Sequence, residues 1–254
     1  MTSFSFLFGI AQEVLWLHAS VFLRVAPIIG LLPGFGEQSV PTRVKLILAL
    51  AFTLIAAPAL APELLGHTQA PRVRLILSET LVGLVIGIGL RLFLMALQIA
   101  GSIAAQATSL SQILGNASLT PLPAIGHVLA TGGIALMMVM GLHVRVAELI
   151  VLSYGVFPVA EFPDFAVVSE WGVAQTAHAF AFGFTLAAPF VLLSVLYNLT
   201  LGTINRAMPQ LMVVFVGAPA ITALALFLMM LVTPVILVVW VRAFQGFIAN
   251  PFGG

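Results

Sequence analysis

Apolar residues run through this chain in six long blocks, at about residues 4–32, 44–60, 75–100, 124–157, 173–204 and 211–241. About twenty such residues cross the hydrocarbon of a bilayer as a helix, so the pattern predicts about six spanning helices. Between the blocks lie the Pro, Gly and polar residues of connecting loops: "LLPGFGEQSVP", "PELLGHTQAPRVR", "VFPVAEFPDF" and "NRAMPQ". The last of these is short, which predicts an antiparallel hairpin of the two final helices. Blocks 124–157 and 211–241 are over-long, since each makes more than about 45 Å of helix against about 30 Å of hydrocarbon. Tilt, a kink or projection beyond the bilayer must absorb the excess. Pro27, Pro189, Pro219 and Pro234 are the positions where a kink is expected, because each removes an intrahelical hydrogen bond.

One interruption differs from the others. "QIAGSIAAQATSLSQILGNASLTPLP", residues 98–123, is rich in Gln, Ser, Thr and Asn, holds no charge and ends in two prolines. Irregular backbone is not tolerated against lipid, whereas backbone buried in protein or lining a cavity is. An uncharged hydrogen-bonding loop suits the lining or stopper of a passage that must not hold its cargo too well. A plain extramembrane loop usually carries Lys, Glu or Asp, and the pattern alone leaves both readings open. The plug or gate candidates are Gly101, Gln106, Ser109, Gln112, Gly115, Asn116, Pro121 and Pro123.

Composition sharpens the class. Of 254 residues 61% are hydrophobic and 7% charged, against about 25% charged in a soluble domain. The chain therefore has lipid or other protein as its solvent, and an all-α membrane protein is expected. Continuous apolar runs exclude the alternation of a membrane barrel. A net charge of +1 leaves no basic footprint for nucleic acid. Without cysteine there is no disulfide frame, thiol nucleophile or thiolate metal site. No Lys or Arg precedes Arg24, and Glu13 interrupts the first block, so the N-terminus reads as a retained helix, not a cleavable signal. Positive-inside counting is close to a tie, with Arg43, Lys45 and Arg206 on one set of loops and Arg72, Arg74 and Arg242 on the other. The acidic group Glu161, Asp164 and Glu170 leans towards the outside.

Glu79, Arg91, Arg145 and Glu148 fall inside apolar blocks, where a charge costs about 2.5–3.5 kcal/mol on insertion scales and demands a partner. Arg145 and Glu148 are three apart and share a helical face, so they can pair. Glu79 and Arg91 lie about 18 Å apart along a helix and must find partners elsewhere. Helix–helix or subunit glue is favoured over a proton relay, which would present several acids or histidines along one path. His18, His127, His143 and His178 are scattered singly, as core or interfacial histidines are. Enzyme chemistry fails on inventory: Asp164 is the only Asp, no His-Glu-x-x-His pair exists for zinc, and Ser102, Ser109, Ser153 and His178 occur without a Gly-x-Ser-x-Gly elbow. No catalytic residue, metal or cofactor is expected. Gly83 with Gly87, Gly101 with Ala105, and Gly132 with Gly133 have the small-residue spacing of close helix packing.

Specific strings carry a family resemblance. "LAAPFVLLSVLYNLTLGTINRAMPQLMVVFVGAPA" resembles the flagellar biosynthesis protein FliR family. The landmarks are Ala187, Ala188 and Pro189, then Leu201 and Gly202, then Asn205, Arg206, Pro209 and Gln210, and Gly217. The central block is similar at Gly101, Gln106, Pro121, Gly141, His143, Ser153 and Pro158. The N-terminal part is similar at Arg24, Pro27, Val40, Pro41 and Lys45. The likeness covers essentially the whole chain.

This resemblance implies a single membrane-embedded export-gate domain over residues 1–254. Residues 1–172 would form a FliP-like part with a plug loop near 101–123, and residues 173–242 a FliQ-like hairpin. One such chain is expected to join FliP-like and FliQ-like subunits, with other export-apparatus membrane subunits, in a conical ring in the bacterial inner membrane at the flagellar basal body. Unfolded flagellar proteins would pass through it. Structural or interface roles are expected of Arg24, Pro27, Pro41, Arg145, Glu148, Pro189, Gly202, Asn205, Arg206, Pro209 and Gln210. An injectisome export gate is the alternative. A small-solute secondary transporter would need two corresponding interrupted helices, and only one interruption is found.

Overall fold

A computed structural model of the chain describes residues 2–65, 71–108, 124–208 and 213–251. They form seven α-helices: α1 (Thr2–Leu31), α2 (Thr42–Leu65), α3 (Arg72–Thr108), α4 (Ala124–Val139), α5 (Leu142–Val156), α6 (Phe165–Ala207) and α7 (Val213–Ala249). No strand occurs among the described residues. Five helices are long and apolar enough to cross a membrane, and α4 with α5 make a sixth span if that bent pair counts as one. The all-α membrane class is therefore the fold of the protein.

The fourth apolar block, over-long by the pattern, absorbs its excess in a sharp bend. It is two helices, not one over-long span, bent by 73° between Val139 and Leu142. The break falls on Gly141, which has φ 79° and ψ 37°, a left-handed conformation that costs any residue with a Cβ about 1–2 kcal/mol. Gly141 donates to the Met138 carbonyl, and its own carbonyl accepts from Val144 and Arg145. It thus closes one helix and opens the next. Helix α1 runs through Pro27, α2 through Pro58 and Pro62, and α6 through Pro189. Helix α3 also extends past the end of its apolar block to Thr108, so the first part of the polar interruption is helical.

The chain divides into two compact units: Met1–Leu92, Met138–Gln175 and Ile248–Gly254 in the first, Phe93–Met137 and Thr176–Phe247 in the second. In the first, α1 packs on α2 and α2 on α5. Helix α3 meets α1 through Gly83 and Gly87, which share a face at four-residue spacing. A Cβ on Gly83 would overlap the Arg24 carbonyl, and one on Gly87 would press on Leu31 and the Pro27 carbonyl. Missing side chains here let two backbones touch, as in close-packed membrane helices. Val21, Val25, Ile28 and Ile29 of α1, with Leu32 just past its end, are fully enclosed. Asp164 caps α6, its Oδ1 accepting from the Ala166 N–H at 2.8 Å, which satisfies one of the orphan donors of that terminus.

The second unit is built round Trp240 of α7, which is completely buried. Its indole N–H donates to the Phe93 carbonyl of α3 at 2.7 Å, and its ring stacks on Phe244. Gly133 of α4 leaves the space that Leu97 and Trp240 fill, and Gly183 of α6 lies against the Ala96 carbonyl. Small residues again decide how closely the helices approach.

Candidate functional site

The polar segment singled out by the pattern leaves α3 and rejoins the fold at α4. Gly101 of α3 faces Gly126 of α4 so closely that a Cβ on Gly101 would overlap the Gly126 Cα. Two helix backbones are in direct contact there. Beyond the crossing, α3 carries polar side chains without unravelling. Thr108 is buried, and its hydroxyl donates to the Ala104 carbonyl at 2.9 Å. Gln106 is exposed, with its amide donating to the Ser102 carbonyl at 3.2 Å. Hydrogen bonds back to the helix's own carbonyls are what allow an uncharged polar sequence to continue as helix. Gly101 and Gln106 are thus helical positions, not loop positions. Ser109, Gln112, Gly115, Asn116, Pro121 and Pro123 lie outside the described residues. No titratable side chain occurs between Gly101 and Pro123, so the segment offers hydrogen bonding without a fixed charge.

In the first unit a second polar centre is built round Arg24, which is fully buried although it sits in the middle of α1. Its Nε donates to Glu79 Oε2 at 2.7 Å and its Nη2 to Oε1 at 3.2 Å, the two-pronged geometry that suits guanidinium to carboxylate. Nη1 donates to Ser153 Oγ at 3.1 Å and Nη2 to the Phe157 carbonyl at 3.0 Å. The Tyr154 ring lies 3.5 Å from the guanidinium carbon, a cation–π contact. Glu79 is buried too and also accepts from the Ala160 N–H at 3.2 Å. Ala160 has φ 58°, so the carboxylate helps hold a strained corner after α5. One ion pair ties α1, α3, the end of α5 and the corner at 157–160. Sequence reasoning required a partner for Glu79, whereas Arg24 entered it only as a residue with an expected structural or interface role. It did not find that they partner each other, because 55 residues separate them.

The other expected site residues are spread more widely. Arg145 and Glu148 pair at 3.1 Å as their spacing predicts, but on an exposed face of α5. Arg91 pairs with Glu37, part-buried in the turn after α1. Pro27 lies inside α1 against Gly87. Pro41 is exposed, and its carbonyl accepts from Val44 and Lys45 to start α2. Pro189 is inside α6. Gly202, Asn205 and Arg206 are exposed near its end. Pro209 and Gln210 lie outside the described residues. The geometry brings Arg24 together with Glu79, and Gly101 with Gly126, and gathers no catalytic constellation among the described residues.

Comparison with known proteins places this arrangement in a lineage. The profile of the bacterial export proteins, family 1, matches residues 15–247. The chain is 32% identical over 246 residues to the flagellar biosynthetic protein FliR of Caulobacter vibrioides, covering 94% of this chain and 96% of the relative. It is 28% identical to FliR of Escherichia coli, covering 89% of this chain and 88% of that one. Against FliR of Bacillus subtilis it is 27% identical, with 86% of each covered. With a family profile spanning nearly its whole length and relatives matched almost end to end, the chain belongs to the FliR family of bacterial export proteins.

Proposed function

We propose that this chain is a core subunit of the flagellar type III protein export gate, acting in the bacterial inner membrane at the flagellar basal body. The carrying observation is the end-to-end likeness to flagellar relatives, 94% of this chain aligned with the Caulobacter protein. Its role is a structural conduit without catalysis or cofactor: unfolded flagellar subunits pass, and the uncharged segment near 101–123 closes the passage when idle. Charged walls would favour one class of cargo segment and trap it, whereas Gln, Ser, Thr and Asn wet the wall without binding tightly. The relatives named above are flagellar, which favours the flagellar over the injectisome version of such a gate.

Surface chemistry supports assembly with other subunits, FliP-like and FliQ-like chains being the expected ones. Helix α6 has 43 residues, about 65 Å at 1.5 Å per residue, twice the hydrocarbon thickness. Large apolar side chains point outward along it, among them Phe165, Phe180, Phe184, Leu192, Leu196 and Leu199. A bilayer covers only part of such a length, so protein must cover the rest. Deleting the gene is expected to abolish motility and secretion of hook and filament subunits, with both restored by the wild-type gene in trans. Normal filaments in the deletion strain would refute the reading.

A further inference from the structure

Where α5 gives way to α6, the first unit exposes two phenylalanines side by side. Phe162 is 42% and Phe165 63% exposed, and their rings stack with centroids 6.2 Å apart. Ala166, Val167 and Val173 continue the exposed apolar surface over the first turns of α6. The corner beneath is tied down from behind. Val159, Ala160 and Pro163 are buried, the Ala160 N–H donates to Glu79, and the Phe157 carbonyl accepts from Arg24. A surface formed in advance loses little freedom when something binds it.

Three carboxylates interrupt this apolar ground: Glu161, Asp164 and Glu170, all exposed. Asp164 has a structural task as the cap of α6. The side chains of Glu161 and Glu170 make no ion pair or hydrogen bond among the described residues. All nine Lys and Arg of the chain have described side chains, and none of them pairs with any of the three acids.

Aromatic side chains are enriched in interface cores, but bare phenylalanine would suit a bilayer as well. The acids decide between the two. Uncompensated carboxylates are repelled by anionic headgroups and are costly among acyl chains, whereas they attract a cation carried by protein. Arginine fits both halves of the surface best. Its guanidinium pairs with carboxylate through planar donors and stacks on a phenyl face.

We propose that Glu161, Phe162, Phe165 and Glu170 form a docking surface for a basic, apolar-flanked segment of a second protein. Glu161 and Glu170 answer the charge of that segment, and the phenyl rings take its apolar flank. The expectation that this protein is a neighbouring gate subunit rests on the assembly reading above. The location of the contact and its chemistry are new.

A photo-crosslinking amino acid at Val167, an exposed position two residues from Phe165, tests this in cells carrying the full chain. Mass spectrometry of the product is expected to identify a peptide of another protein with Arg or Lys among apolar residues. E161K/E170K is expected to lower the yield at least about tenfold, and E161Q/E170Q to lower it less. R242Q, which removes an exposed charge from α7, is expected to leave it unchanged. In detergent extract the yield should also fall as salt rises from about 0.05 to 0.5 M, which a purely apolar contact would not do. No crosslink, a crosslink to lipid alone, to a second copy of this chain or to a peptide without Arg or Lys would overturn the proposal. A yield indifferent to salt would overturn it too, and the salt series needs no acid variant to fold. A basic partner from outside the export machinery would contradict the assembly reading and keep this surface, whereas a non-basic export subunit would do the reverse.

Discussion

A guanidinium shut away from water is stable only when its donors are engaged, and Arg24 engages a carboxylate, a hydroxyl, a backbone carbonyl and an aromatic face. Removing one member of such a pair leaves the other buried and uncompensated, at a cost of about 3–5 kcal/mol. Arg24→Met is therefore expected to lower the unfolding midpoint of the detergent-purified chain sharply. Glu79→Gln, which keeps an acceptor for Nε but leaves the buried guanidinium's charge uncompensated, is expected to lower it as well. The double variant Arg24→Met/Glu79→Leu should recover much of the single-variant loss but not all of it, because the Phe157 carbonyl and the Ala160 N–H lose their partners. Strictly additive losses would mean that the two residues do not act as a pair. At this scale the sequence announced the demand and not its solution. A lone Glu79 in an apolar block requires a partner, but which residue answers is set by how α1 lies on α3. That contact depends on Gly83 meeting the Arg24 backbone. The Arg145–Glu148 pair was legible because its partners sit on one turn of one helix.

Among the elements, apolar block length revealed the helices and an excess in block 124–157, but not where the chain bends to absorb it. Before Gly141 the residues are apolar and after it His143 and Arg145 stand singly among apolar ones, so no run of loop residues marks the turn. A left-handed residue leaves no trace in hydrophobic pattern, and glycine is common in membrane helices for other reasons. Gly141→Ala is expected to cost about 1–2 kcal/mol through its backbone conformation alone, since a Cβ there meets open space. Gly155→Ala, also in open space but in a helical part of α5, should be neutral or slightly stabilising. Thermal unfolding of the two variants side by side checks this, and equal effects would contradict it. The contact at Gly101 behaves differently, because its neighbour Gly126 is backbone and cannot yield. Gly101→Val is expected to prise α3 from α4 and destabilise the second unit by more than about 2 kcal/mol. In the export reading it should also leave the membrane leaky to small ions, measured as growth inhibition or dye uptake. The polar character of this region was legible, whereas the continuation of α3 to Thr108 was not. Uncharged polar residues suit a helix as well as a loop when their side chains bond back to the turn behind them.

For the whole molecule, surface that neither unit covers is the main clue to how it works. Outward apolar side chains recur on α2, α6 and α7, and the longest helices outrun a bilayer. Co-expressed with FliP-like and FliQ-like chains, the protein is expected to appear by native mass spectrometry as one copy within a larger assembly. Recovery only as a free chain or as a homo-oligomer would contradict the assembly reading. That the chain is an α-helical membrane protein of the FliR family was legible from block length, scarce charge and a few motif strings. Its helix contacts were not, because they rest on glycines whose partners are distant in sequence.

The conduit claim is tested most directly at Gln106, an exposed position on α3 beside the central segment. A photo-crosslinking amino acid placed there, in cells where an export substrate is stalled by a fused folded domain, reports whether cargo passes this point. A crosslink to the stalled substrate that disappears when stalling is relieved is expected. Active export and a stalled substrate, with no crosslink from position 106 or from positions 109–120, would contradict it.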